Sequence, residues 1–171
     1  MIMSTSLFSL KGKRVLITGG AQGIGAALGR GLGEAGATVL VNARNREKLN
    51  ACVKAFRDAG IESEGFLFDV TDAREVEQSV RRIEEEAGPI DVLVNNAGII
   101  RREPAEELKE EDWNLVIQTN LTAPFLVSKY AGRFMLQRKR GKIINICSLM
   151  SELGRDTVSA YAAAKGGLRM L

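Results

Sequence analysis

Short apolar, β-branched runs alternate along this chain with longer segments of helical period. The runs are Arg14–Thr18, Thr38–Asn42, Gly65–Asp69, Asp91–Asn95 and Lys142–Ser148. Their near-continuous apolar character predicts strands buried on both faces. Between and after them lie Gly23–Ala35, Arg46–Ala59, Ala73–Ala87, a long segment around Glu111–Gln137, and Val158–Leu171, all predicted helices. Leu49, Cys52, Val53 and Phe56 share one face of the second helix, and Val76, Val80 and Ile83 share one face of the third. Strand–helix alternation predicts right-handed crossovers and a parallel sheet covered on both faces, a doubly wound α/β fold in three layers, αβα. No internal repeat or linker divides the 171 residues, so 1–171 reads as a single domain.

Two helices carry more information than their period. Gly29, Gly31 and Gly33 lie inside the first, each at a cost of about 1 kcal/mol against alanine. The expectation is that some of them permit close packing on the sheet. The long segment is apolar on several sides, with Trp113, Val116, Ile117, Leu121, Phe125, Leu126, Val127, Phe134, Met135 and Leu136. One sheet face needs fewer. Either a subunit interface or burial under another part of the domain accounts for the excess.

Composition narrows the chemistry. The net charge of +3 is modest, basic residues are scattered among acidic ones, and aromatics are few, which argues against a nucleic-acid partner. Arg138–Lys139–Arg140 reads as a solvated helix end. The chain has no histidine, which removes Ser–His–Asp triads and most catalytic zinc sites, and no metal is expected. Cys52 and Cys147 lie far apart and read as buried, reduced thiols of a cytoplasmic protein. No apolar run has membrane-spanning length, and Met1–Leu10 lacks the charged start and apolar stretch of a secretion signal.

The chemistry gathers at the ends of the strands. Val15–Ile17 runs into Thr18, then glycines at 19, 20, 23 and 25, then a helix. Strand, glycine turn and helix N-terminus make an anion site, because glycine lets a phosphate approach the backbone and free N–H groups attract it. Gly19, Gly23, Ile24 and Gly25 are its candidate residues. The other strands close on Asn42, Asp69, Asn95 and Ser148, and ligands of open parallel sheets bind outside such carboxyl ends. Five polar residues together predict one shared ligand. Asp69, followed by Val70, is placed to accept from an adenine amino group, and Asn96, Ala97 and Gly98 to bring backbone close to the cofactor.

The end of the second strand selects the cofactor. An acid there would hold a ribose 2′-hydroxyl, but this chain has Ala43 and then Arg44, which suits a 2′-phosphate. NADP is therefore expected, with NAD the alternative. Tyr161 and Lys165 are four apart and share a helix face, thirteen residues beyond Ser148. An ammonium beside a phenol favours the phenolate, and a nearby serine can hydrogen-bond a substrate oxygen.

In their order, Thr18–Gly19, Gly23, Gly25, Asp69–Val70, Asn95–Asn96–Ala97–Gly98, Asn120, Ser148, Tyr161 and Lys165 resemble a short-chain dehydrogenase/reductase. The resemblance implies a Rossmann-like fold, with Tyr161 as acid/base for hydride transfer and Ser148 positioning the reacting oxygen. It also implies that Lys165 holds the nicotinamide ribose and that Asn120 organises a relay water. Asn95–Arg102 and Ile146–Asp156 look closest to gluconate 5-dehydrogenases, which implies gluconate and 5-keto-gluconate as the substrate pair. A 2-deoxy-gluconate 3-dehydrogenase and a 3-oxoacyl-carrier reductase are the alternatives. Arg101, Arg102 or Arg155 could hold a sugar-acid carboxylate, and Glu152 or Asp156 could accept from its hydroxyls, one or two of them in contact. A homo-oligomer, dimer or tetramer, is expected by the same resemblance. The family continues beyond the fifth strand and following helix, so the C-terminal part of its fold is absent from 1–171. Weak or no activity is expected of these residues alone, and a non-catalytic nucleotide-binding module is the reading from another class.

Overall fold

The structure is a computed structural model describing residues 5–171. Met1–Leu10, taken above to lack a secretion signal, falls partly on residues 1–4, outside the described residues. Among the described residues, no helix is long and apolar enough to cross a membrane.

Five parallel strands, β1 (Arg14–Ile17), β2 (Thr38–Ala43), β3 (Ser63–Leu67), β4 (Val92–Asn95) and β5 (Lys142–Asn145), lie in the order β3-β2-β1-β4-β5. The connecting helices are α1 (Gly23–Glu34), α2 (Arg46–Asp58), α3 (Ala73–Arg82), α4 (Glu110–Ile117), α5 (Ala123–Gln137) and α6 (Ser159–Met170). Val15, Ile17, Val39 and Val41 point to one face and pack with Leu49, Val53 and Phe56 of α2. Leu16, Leu40 and Leu93 point to the other and pack with Val76 and Val80 of α3 and Val127 and Ala131 of α5. Alternate residues of the same short strand thus feed two cores, as a three-layer fold requires. The chain order reverses direction at β1, so a crevice opens between the carboxyl ends of β1 and β4.

The strands differ from expectation at their ends. β3 is displaced two residues toward the N-terminus, because its ladder pairs Val39 with Ser63 and Ala43 with Leu67. Ser63 is tolerated in the strand because its hydroxyl donates to the Val53 carbonyl. β5 stops at Asn145, leaving Cys147 and Ser148 free to turn into the crevice. β5 is also an edge, with Ile143 and Ile144 exposed at 43% and 46%.

The third helix closes with a wide π-turn at Ile83–Ala87. The long helix is divided into α4 and α5 by a second π-turn, Gln118–Thr122. Pro124 sits at the start of α5 and has no N–H to donate to the carbonyl of Asn120 four residues earlier. Of the three glycines in α1, two meet the packing expectation. A Cβ on Gly29 would come within 2.8 Å of the Phe56 ring, and one on Gly33 would overlap Ile61, whereas one on Gly31 meets nothing within 4 Å.

Two surface expectations are corrected. Arg138 is not simply solvated: its guanidinium donates to both carboxylate oxygens of Glu84 and to the Ile90 carbonyl, tying the end of α5 to the turn after α3. Cys147 is exposed rather than buried because it follows an edge strand, while Cys52 is half-buried and burial pushes its thiol up from the usual range.

Candidate functional site

The carboxyl edge of the sheet opens into a cavity of about 740 Å³, floored by the glycine loop. Gly19 adopts φ +62, a left-handed value, and this turns the chain out of β1. A Cβ on Gly25 would lie 2.5 Å from the Gly19 carbonyl oxygen and 2.6 Å from Asn96 Nδ2. Only hydrogen fits there, so the N-terminus of α1 seats directly on the loop with its free N–H groups at the cavity. Gln22, the N-cap, makes no side-chain bond to them. Backbone N–H groups left free at a tight glycine turn suit a diphosphate, so the floor fits a dinucleotide.

The polar strand ends do two different jobs. Thr18 Oγ1 accepts from the N–H groups of Asn96 and Ala97 at 3.0 and 3.1 Å, and Asn96 Nδ2 donates back to the carbonyls of Thr18 and Gly19. Asn42 Oδ1 accepts from Gly19 N–H, while its Nδ2 donates to the Phe68 carbonyl. Asn95 Nδ2 donates to Ser128 and Asn145. Thr18 and Asn95 are therefore buried stitches that lock neighbouring loops together and line neither cavity, which corrects the expectation that all five strand ends face one ligand, whereas Asn42 both stitches and lines the larger cavity. Gly19, Gly23, Ile24, Gly25, Asn96, Ala97 and Gly98 all line the cavity, as do Asp69 and Val70.

Its far end is charged. Arg44 Nη1 donates to Asp69 Oδ2 at 3.3 Å. Asp69 Oδ1 accepts from the N–H and hydroxyl of Thr71. Burial alone would raise the Asp69 carboxyl, but the bonds from Thr71 and the Arg44 guanidinium outweigh it and hold the group below the usual carboxylate range. Sequence reasoning missed two residues here, Lys48 and Gln22, whose side chains meet at 2.9 Å. The spacing of Arg44 and Lys48, one turn apart where a helix starts, was the available signal. Thr119 was missed too: it is buried against the cavity, and its hydroxyl has no partner among the described residues.

A second cavity of about 410 Å³ adjoins the first, sharing Ile24, Asn96, Gly98 and Ile99. Ser148, Tyr161 and Lys165 line it together. Ala160 and Ala164 pack against Val116 of α4, and this turns the adjacent Tyr161 and Lys165 toward the crevice. Lys165 is only 4% exposed. Its Nζ donates to the Ile146 carbonyl at 2.6 Å and lies 5.8 Å from the centre of the Tyr161 ring. Burial lowers the Lys165 ammonium from the usual lysine value, and neighbouring Cys147 offsets this only in part. Ser148 caps a short 3₁₀ turn, its Oγ accepting from Met150 N–H, which holds the hydroxyl at the crevice wall.

Asn120 is fully buried in the π-turn. Its Oδ1 accepts from Ile99 N–H at 2.8 Å and its Nδ2 donates to the Ile99 carbonyl at 2.7 Å. The side chain is thus a clamp on the strand-β4 loop. Of the charged residues expected near substrate, Arg102 and Arg155 line the second cavity. Arg101 and Glu152 are outside it, paired with Asp112 and Arg169. Asp156 is exposed and also outside its lining.

A family model described as short chain dehydrogenase matches residues 13–171. The chain belongs to the short-chain dehydrogenase family. It is 52% identical over 165 residues to a 5-keto-D-gluconate 5-reductase of Escherichia coli K12, covering 96% of this chain and 65% of that protein. It is 49% identical over 170 residues to a 2-dehydro-3-deoxy-D-gluconate 5-dehydrogenase of Formosa agariphila, covering 99% of this chain and 64% of that protein. Among solved structures of the family, a gluconate 5-dehydrogenase of Burkholderia cenocepacia, in complex with NADP and tartrate, superposes with a TM-score of 0.92 at 46% identity, over 95% of this chain and 64% of that one. The chain spans less than two thirds of the length of these short-chain dehydrogenases.

Proposed function

We propose that this chain carries the dinucleotide-binding and proton-transferring residues of an NADP(H)-dependent oxidoreductase that interconverts a secondary alcohol and a ketone of a sugar acid, gluconate and 5-keto-gluconate. The observation that carries this reading is the joint lining of one crevice by Ser148, Tyr161 and Lys165, continuous with a cavity floored by a glycine loop and ended by Arg44. Similarity to gluconate-series relatives, one of them solved with NADP and tartrate, supports the substrate class.

A bound nicotinamide would supply the hydride acceptor or donor. The remaining work falls to the chain. The Tyr161 hydroxyl passes a proton to or from the reacting oxygen, and Ser148 Oγ hydrogen-bonds that oxygen as its charge develops. Lys165 is held by the Ile146 carbonyl so that its ammonium lies beside the phenol and within reach of a ribose hydroxyl. The Asn120 clamp fixes Ile99 beside the crevice, and the family resemblance gives Asn120 the further role of organising a relay water. Arg102 or Arg155 takes the substrate carboxylate through charge-assisted hydrogen bonds. Exposed Leu115, Phe125 and Leu136 on α4 and α5 support a homo-oligomer.

Absorbance of reduced nicotinamide, followed with gluconate and with 5-keto-gluconate, tests the reading. Tyr161→Phe should lower turnover by roughly 10²- to 10⁴-fold while leaving NADPH binding unchanged. Full turnover by that variant would remove Tyr161 from the proton-transfer role.

A further inference from the structure

Two cation-bearing pairs line the larger cavity. Arg44 is held by the Asp69 carboxylate, at 3.3 Å. Lys48 is held by the Gln22 amide oxygen, at 2.9 Å. All four residues line the cavity. The partners differ in charge. Asp69 neutralises Arg44, whereas a neutral amide leaves the Lys48 ammonium with its full charge, and no carboxylate pairs with Lys48 among the described residues. Lys48 is also in the first turn of α2, whose N-terminal N–H groups add positive potential. Its backbone N–H is taken by the capping Asn45 side chain, so the residue is fixed at its base while its ammonium is aimed across the α1 loop by Gln22.

We infer that Lys48, aimed by Gln22, is the specificity-determining cation of the 2′-phosphate subsite, and that Asp69 keeps Arg44 occupied until a phosphate competes for it. A 2′-hydroxyl has no charge to draw Arg44 from Asp69, so it gains little from either cation. A phosphate dianion meets the uncompensated Lys48 at once and then shares Arg44 with Asp69. The discrimination between the two dinucleotides therefore lies more in Lys48 than the strand-end arginine by itself would indicate. This rests on the NADP(H) reading above.

The test uses 2′,5′-ADP and 5′-AMP, two fragments that differ only in the 2′-phosphate, with calorimetric binding to wild type, Lys48→Gln and Gln22→Glu. Wild type should prefer 2′,5′-ADP, and increasingly so as salt falls. Lys48→Gln should weaken 2′,5′-ADP by about fivefold and leave 5′-AMP unchanged. Gln22→Glu, which gives Lys48 a carboxylate partner and sets a negative charge at the subsite, should lower the preference at least as far. Unchanged 5′-AMP binding shows that Lys48→Gln remains folded, and an unchanged urea midpoint shows it for Gln22→Glu, whose added charge also lies near the 5′-phosphate. If either variant keeps the wild-type preference, the role of Lys48 is overturned and the NADP(H) reading stands. If wild type binds neither fragment, both fall together.

Discussion

Lys165 is the residue whose environment most directly shapes behaviour. Burial disfavours its charged form, so in the folded protein it sheds its proton below the usual lysine value of about 10.4. Between that lowered value and about 10.4 the unfolded chain binds more protons than the folded one, so this group makes stability rise with pH across the interval. The ammonium that the proposed mechanism uses is lost over the same interval. The alkaline limb of a pH–rate profile should therefore fall below the ordinary lysine range, while Lys165→Met should remove the associated rise in the urea midpoint. A second residue-scale prediction separates two arginines. If the proposed function holds, Arg155→Gln should raise KM for the sugar acid by about tenfold with little change in NADPH affinity, whereas Arg101→Gln, paired with Asp112 outside the cavity, should change neither. Steady-state kinetics on both variants decides. That Tyr161 and Lys165 would share a helix face was legible from their spacing, and the structure places both with Ser148 along one crevice, but the roles expected of them came from the family resemblance. The division of Arg101, Arg102, Glu152 and Arg155 between crevice and surface was not legible, since loop charges carry no period.

At the scale of elements, helix α1 shows how packing overrides propensity. Its three interior glycines look equivalent by sequence. Gly29 abuts the Phe56 ring, but Gly31 faces open space. Gly29→Ala should therefore cost about 1–3 kcal/mol through overpacking, against a propensity gain of about 1 kcal/mol. Gly31→Ala should stabilise by about 0.5–1 kcal/mol. Urea denaturation of the two variants gives the signs. The division of the long helix was not read from the sequence. One long helix was expected, and although Pro124 lies within it, the wide turn also goes with Asn120 reaching Ile99 across 21 positions of sequence.

For the whole molecule, the sheet supplies both the site and its weak edge. β5 pairs only with β4 among the described residues, and Ile143 and Ile144, which point to opposite faces of it, are both exposed. An unpaired, apolar edge invites association. Ile144→Lys should make the 171-residue chain more soluble at neutral pH, as measured by light scattering, with no change in binding of 2′,5′-ADP. The order of the elements and the candidate residues of the crevice were legible in the sequence by itself. Apolar period, glycine spacing and strand-end polarity are local properties, and each is written within a few adjacent residues. Tertiary structure alone decided which strand-end residues became stitches and which stayed free for a ligand. Thr18, Asn42 and Asn95 are matched to partners more than twenty positions away, and Lys48 meets Gln22 only because β1 and β2 lie side by side. A hydrogen bond depends on distance in space, and parallel strands bring together residues that the chain itself keeps far apart.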